Sequence, residues 1–211
     1  MNVIVVGAGG HGQVVADILL KGAASPWPLQ PLGFVDDDRS LAGRQILGLP
    51  VLGSVEALET IAHDAIVVAV GSNARRHQLC SALTARGETL VAVIHPSAQI
   101  GNAVELAPGV MVSAGAVVNT GSRLGIGAIV NTGATVDHHT EIGACAHIAP
   151  GVHMGGEVRV GERTLVGIGA IVLPRTRIGS DAVVGGGAVV TTDVPDGVTV
   201  VGVPARVLVR A

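Results

Sequence analysis

The sequence predicts two folds in series. A small α/β unit with a parallel sheet covers residues 1–93, a parallel β-helix of short strands covers 94–190, and residues 191–211 form a C-terminal cap segment. Three observations lead there. Up to residue 93, apolar runs of strand length alternate with stretches of helical spacing. From Ile94 onward, a large aliphatic side chain stands at every sixth position. Aromatics make up only 1% of a chain that is 48% apolar, so the core must be assembled from Val, Ile, Leu and Ala, which suits narrow repetitive packing.

In the first unit, Asn2–Val6 reads as a buried strand. Gly12–Lys21 follows as a helix, with Val14, Val15, Ile18 and Leu19 on one face. Ser25–Pro31 is Pro-rich and reads as a loop, and Leu32–Val35 as the second strand. Ser54–Ala62 reads as a helix, Ala65–Val70 as a strand, Ala74–Arg86 as a helix and Leu90–Ile94 as a strand. Such alternation is the signature of a parallel α/β sheet.

Gly7, Gly9 and Gly12 satisfy G-x-G-x-x-G between the first strand and helix, where backbone N–H groups and a helix N-terminus can approach phosphate. Asp36, Asp37 and Asp38 end the second strand, where dinucleotide enzymes hold a ribose. An NAD enzyme is therefore a competing reading. Against it, this Rossmann-like unit is half of a complete dinucleotide fold, and the remainder is not a hydride-transfer domain. Asp38 reads as a solvated turn residue. Arg75 and Arg76 read as phosphate contacts or as a solvated helix face.

The second unit is defined by its period. The series Ile94, Ile100, Leu106, Val112, Val118, Leu124, Val130, Val136, Ile142, Ile148, Met154, Val160, Val166, Val172, Ile178, Val184, Val190 contains only large aliphatics. If about two residues in five were of this kind, chance would give that run on the order of once in a million. A small or β-branched residue stands two positions before each, as at Ala128, Ala134, Thr140, Ala146, Val152 and Val158. Gly often follows directly, as at Gly101, Gly125, Gly143 and Gly161, and is expected to relieve the turn. A helix stripe needs spacings of three and four, so a six-residue period excludes it. The period fits a solenoid of triangular coils, three units to a coil, stacked about 4.8 Å apart. The α/β unit and the C-terminal segment are expected to cover its two ends.

Composition excludes several functions. A formal net charge of −3 gives no footprint for nucleic acid or an anionic membrane. No apolar run approaches a membrane span, and Val3–Val6 lacks the basic leader of a signal peptide. Two cysteines, Cys80 and Cys145, imply no disulfide framework and point to a reducing, cytoplasmic setting.

The hexapeptide series, Gly7-Ala8-Gly9-Gly10-His11-Gly12 and Ile94-His95-Pro96-Ser97-Ala98 resemble the bacterial sugar O-/N-acetyltransferases of the left-handed β-helix superfamily. The likeness is greatest to the nucleotide-sugar 4-aminosugar N-acetyltransferases of the perosamine and bacillosamine type. It spans nearly the whole chain and is most specific from Asn131-Thr132-Gly133 to Asp137-His138, at His147 and at Gly202-Val203-Pro204-Ala205-Arg206. The resemblance implies a left-handed coil, against the usual right-handed crossover preference. It also implies acetyl-CoA as co-substrate, no permanently bound cofactor, no metal, and a homotrimer with sites between neighbouring β-helices.

Four of the eight histidines lie between positions 138 and 153: His138, His139, His147 and His153. Acyl transfer from a thioester to an amine needs a base, and imidazole suits neutral pH. The resemblance places the base at His138, acetyl-CoA contacts at His147, Ile168 and Gly186, and the acceptor pocket at Asn131. It places the nucleotide sugar at Gly9, Gly10, His11, Asp36, Asp37 and Gly71. The family has an acid after its base where this chain has His139. A neutral imidazole cannot supply that negative charge, so Asp137 and Glu141 are alternative partners. Other readings of the cluster are a β-helical zinc enzyme of carbonic-anhydrase type, a nucleophilic Cys145, a sugar O-acetyltransferase, and a non-catalytic nucleotide-sugar-binding trimer. The zinc enzymes pair histidines five apart, whereas His147 and His153 are six apart.

Overall fold

A computed structural model describes residues 1–22 and 28–208. Ser25–Trp27 of the expected loop and residues 209–211 of the C-terminal segment lie outside the described residues. The chain divides into two compact units, Met1–Pro96 and Ser97–Ala211.

The first unit contains β1 (Asn2–Val6), α1 (Gly10–Leu20), β2 (Gln30–Val35), β3 (Gln45–Ile46), β4 (Leu49–Gly53), β5 (Ala65–Val68) and α2 (Asn73–Ala85). The sheet order is β3-β4-β2-β1-β5. All neighbours run parallel except the β3–β4 hairpin. β1 sits inside this sheet and its Val3–Val6 are fully buried, which explains its unbroken apolar run. The hairpin has no alternating pattern and was not foreseen. Ser54–Ala62 does not form an α-helix. It makes only a 3-10 turn, Val55–Glu59. The fifth strand stops at Val68, freeing Ala69–Gly71 as a loop. The expected Leu90–Ile94 strand reduces to one bridge from Leu90 to Ile66 and the pair Val93–Ile94.

Two glycines make the β1–α1 turn possible. Gly7 has φ +107, and a Cβ there would lie 2.9 Å from the Ala69 carbonyl oxygen. A Cβ on Gly12 would collide with the Gly7 carbonyl.

The second unit is a triangular parallel β-helix. Its first face carries the pairs at 99–100, 117–118, 135–136, 153–154, 171–172 and 189–190. The second carries 105–106, 123–124, 141–142, 159–160 and 177–178. The third carries 111–112, 129–130, 147–148, 165–166 and 183–184. Register is fixed at 18 residues, as in Val117 with Thr135 and Thr135 with His153. From Val112 to Val190 every member of the aliphatic series is buried, and so are the small residues two positions before. Where that small residue carries a hydroxyl, a carbonyl takes its hydrogen, that of Leu173 for Thr176 and one in the next coil for Ser122, Thr140 and Thr164. Thr140 Oγ1 donates to the Gly155 carbonyl and accepts from Val158 N, and Thr164 Oγ1 serves Gly179 and Ala182 alike.

The glycines after each aliphatic do not serve the turn as the sequence suggests. A left-handed residue three positions after each aliphatic from Ile100 to Val184 makes the corner, as at Gly115, Gly121, Gly133, His139 and Cys145. Gly101, Gly125 and Gly143 lack positive φ and are required by proximity instead. A Cβ on each would lie 2.7 Å from a backbone nitrogen of the next coil.

The C-terminal segment continues the solenoid at a shortened step. Thr199 pairs with Val183 on the third face, and Val194 bridges to Ile178 on the second. Asp193 and Asp196 carboxylates accept from Arg177 N and Ser180 N, standing in for backbone carbonyls where the coil tightens. Arg206–Val207 then folds back antiparallel.

The two glycine classes are separable by measurement. Gly143→Ala should cost about 2 kcal/mol or more in urea unfolding, because the new methyl meets backbone. Gly133→Ala faces open space at φ +64 and should cost only about 1 kcal/mol. Equal losses would contradict the assignment.

Candidate active site

In the α/β unit the predicted residues gather at the C-terminal ends of β1, β2 and β5. β1 is followed by β2 on one side and flanked by β5 on the other, the crevice where open α/β sheets take ligands. Gly9, Gly10 and Gly71 border open space there, with nothing within 4 Å of an added Cβ. Asp36 is occupied in bracing this loop. One carboxylate oxygen accepts from Ala8 N at 2.7 Å and the other from Asp38 N at 2.9 Å. Asp37 accepts from Val55 N at 3.0 Å and lies 3.7 Å from the Arg75 guanidinium. Asp36 and Asp37 also line a cavity of about 340 Å³ with Asp38, Val51, Gly53 and Ser54. Asp38 accepts from Ser40 N and caps a short turn, as a solvated residue would.

His11 and Arg76 give this edge its electrostatics. His11 is half-buried, and burial followed by the charge of Arg76 lowers its pKa from 6.5 to about 4. Arg76 is not on a solvated helix face. It is 1% exposed, and its guanidinium donates to the Val70 carbonyl at 2.9 Å and to Asn73 Oδ1 at 2.8 Å.

In the β-helix, His138 and His139 occupy the corner between the first and second faces. Their Nδ1 atoms are 3.1 Å apart and the rings meet edge to face at 77°. Each ring lies over a glycine. A Cβ on Gly156 would fall 2.5 Å from His138 Cε1, and one on Gly121 would fall 2.8 Å from His139 Cδ2. His139 has φ +56 and its N–H donates to the Thr120 carbonyl, so the corner itself aims the ring. Neither acid alternative is seen on these rings. Asp137 accepts from His138 N at 2.8 Å and from Asn119 Nδ2 at 2.9 Å, bonds that hold its pKa below the usual carboxylate value. Glu141 lies 3.7 Å from Arg159 on the second face.

The acetyl-CoA candidates lie elsewhere on the coil. His147 is on the third face, where Asn131 Nδ2 meets its Nε2 at 3.0 Å. Thr132 N donates to Asn131 Oδ1, which sets the amide orientation, so His147 Nε2 is the acceptor. Ile168, 66% exposed, and Gly186 share the next corner, 18 residues apart. His153 is on the first face, bonded through Nδ1 to Thr135 Oγ1. His147 and His153 thus stand on different faces, which does not favour shared zinc. Among the described residues no group of three or more His, Cys, Asp or Glu could hold a metal ion. Cys145 is buried with its thiol on the Ile126 carbonyl, a poor setting for a nucleophile.

Comparison with known proteins places this geometry. Residues 2–83 match the PglD N-terminal domain family and residues 157–192 the bacterial transferase hexapeptide family. The acetyltransferase domain of PglB from Neisseria gonorrhoeae FA1090 is 39% identical with a TM-score of 0.89, matching 98% of this chain and 99% of that one. This chain belongs to the bacterial sugar O-/N-acetyltransferase family of the left-handed β-helix superfamily. PerB from Caulobacter crescentus, solved with CoA and GDP-perosamine, is 39% identical over 99% of this acetyltransferase-family chain and 98% of its own, with a TM-score of 0.91. WeeI from Acinetobacter baumannii AYE is 30% identical over 99% and 100%, with a TM-score of 0.86. No curated protein matches the chain in sequence. Among the described residues no helix is long and apolar enough to cross a membrane.

The neutral His11 has a stability consequence. The unfolded chain protonates it near 6.5 and the folded one only near about 4, so the unfolded state binds the extra proton in between. Stability therefore falls as pH drops through that window, by up to about 3 kcal/mol. His11→Asn should flatten this part of the urea-midpoint profile. A slope equal to that of the unsubstituted protein would contradict the assignment.

Proposed function

We propose that this protein transfers the acetyl group of acetyl-CoA to the amine of a nucleotide-linked amino sugar, with His138 as general base. The observation that carries this is the His138 Nδ1 to His139 Nδ1 contact of 3.1 Å. One of the two nitrogens must hold the hydrogen. If His138 Nδ1–H donates, His138 Nε2 keeps its lone pair and can take a proton. The opposite arrangement puts the proton on His138 Nε2 and leaves the bare Nε2 on His139 instead. His139 therefore acts in place of an acid as the acceptor that selects the reactive tautomer.

The transfer is direct. The amine nitrogen attacks the thioester carbonyl carbon while His138 Nε2 removes its proton. The tetrahedral intermediate collapses, the C–S bond breaks, and the proton returns to the departing thiolate. The nucleotide rests on Gly9, Gly10, His11 and Gly71, with Asp36 and Asp37 at the same edge. Acetyl-CoA lies along the β-helix at His147, Ile168 and Gly186, and Asn131 borders the acceptor. The two ligands bound to the Caulobacter relative support this substrate pair.

The active unit is a homotrimer. The base stands on the corner between the first and second faces, whereas His147 stands on the third face of the same coil. Direct transfer from CoA at one to an amine at the other calls for two β-helices side by side. The setting is cytoplasmic, where acetyl-CoA and nucleotide sugars for glycan synthesis are available, and two buried cysteine thiols agree with it.

Both parts are tested together with acetyl-CoA and UDP-, GDP- and dTDP-linked 4-amino sugars. His138→Ala should lower turnover by at least about a hundredfold with CoA affinity kept. Co-refolding the His138→Ala and His147→Ala chains should regain activity at about a quarter of the sites, those pairing the two intact residues. Near-normal turnover of His138→Ala would overturn the base. No recovery on mixing would overturn the shared site.

A further inference from the structure

Arg76 is an expensive residue where it stands. It lies in the first turn of α2, whose N-terminal end already carries a partial positive charge. It is 1% exposed, so its guanidinium has left water. Apolar residues of similar volume commonly serve stability as well or better in buried ionic positions. The bonds it makes are directed at one short segment. Nη1 donates to the carbonyls of Val70 at 2.9 Å and Gly71 at 3.4 Å, and Nη2 donates to Asn73 Oδ1 at 2.8 Å. Ser72 caps the same helix through its side chain to Arg75 N. The fork thus ties together the turn that leaves β5 and enters α2.

That turn is one wall of the crevice at the end of the sheet. Its Ala69 carbonyl and Val70 side chain lie 2.9 and 3.2 Å from where a Gly7 Cβ would stand, so turn and glycine loop are pressed together. Gly71 on one wall and Gly9 and Gly10 on the other border open space. The N-termini of α1 and α2 open on this edge, and the Arg76 charge is close enough to act on His11. A doubly charged diphosphate fits such a field.

We infer that Arg76 is a positioning residue for nucleotide recognition, its buried fork fixing the Val70–Asn73 turn against the glycine loop. The inference rests on the proposed nucleotide-sugar reading of the α/β unit. Arg76 does not touch the nucleotide. It sets the distance between two backbone walls that do, and adds a fixed positive charge behind them. Lysine can restore the charge but not the fork.

The test is calorimetric titration of the full chain with GDP, UDP and dTDP, and separately with CoA. Arg76→Gln should weaken the diphosphate the protein binds by at least about tenfold. Arg76→Lys should recover part of that loss, and both should bind CoA within about twofold of the unsubstituted chain. Asn73→Ala removes one acceptor of the fork from a half-buried position and should give a smaller loss in the same direction. It carries the test if Arg76→Gln does not fold. Unchanged diphosphate affinity, or an equal loss of CoA affinity, overturns the positioning role. If the unsubstituted protein binds none of the three diphosphates, the nucleotide reading itself has failed.

Discussion

Everything in the β-helix depends on the hydrogen bonds that pass from coil to coil at a constant step. Asn119, Asn131 and Gly143 donate their N–H groups to Val136, Ile148 and Val160 of the following coil. At the corners the donation runs the other way, from Gly121, His139 and Glu157 to Asn102, Thr120 and His138. With the backbone locked in both directions, side chains at equivalent positions stand above one another. The columns then read as physical stacks. Asn119 meets Asp137, Thr135 meets His153, and Arg163 clamps Asp181 with two bonds. A change of residue type along a column can open room for a larger side chain. The columns holding His138 and His139 turn to glycine at Gly156 and Gly121, which makes room for the two rings.

This constraint is what lets a histidine stand in for an acid beside the proposed base. Asp137 is near enough in sequence to serve, yet it is committed to the His138 backbone and to Asn119. It fixes where the chain runs, and in the proposed mechanism His139 fixes which nitrogen of the ring is bare. The left-handed backbone at His139 costs roughly 1–2 kcal/mol relative to glycine, within the range that ring packing and a hydrogen bond offset. The corner tolerates side chains generally, since Cys145, Glu157, Arg163 and Asp181 share the conformation.

Most of the β-helix was legible because one period governs it. The aliphatic series and the small residues before it gave the faces, the inward positions and the order of the corners. The role of the glycines was not legible. A glycine required by positive φ and one required by a neighbouring backbone look the same in sequence, and only the coil spacing separates Gly133 from Gly143. In the α/β unit, β1 and the glycine loop announced themselves, whereas the β3–β4 hairpin was too short to show a pattern. Arg76 read as a phosphate contact or a solvated helix residue, because charged residues on a polar helix usually face solvent. Its burial follows from the turn it holds, which sequence spacing does not reveal. His138 and His147 take their expected roles from the family resemblance. The coil sets His138 at a corner and His147 on the third face, a distinction visible only once each triangular turn is assigned.

The two units contribute different physics to one proposed reaction. Fixed positive charge and open backbone suit the α/β edge to a nucleotide, and an edge-to-face imidazole pair suits the β-helix corner to proton transfer. The central claim is that His139 holds His138 as the Nδ1–H tautomer. Nitrogen-15 NMR of the imidazoles, assigned with His138→Gln and His139→Gln, tests it most directly. At a pH where both rings are neutral, the account predicts a protonated Nδ1 and bare Nε2 at His138, with the reverse at His139. A His138 ring that carries its proton on Nε2 in the intact protein would contradict it.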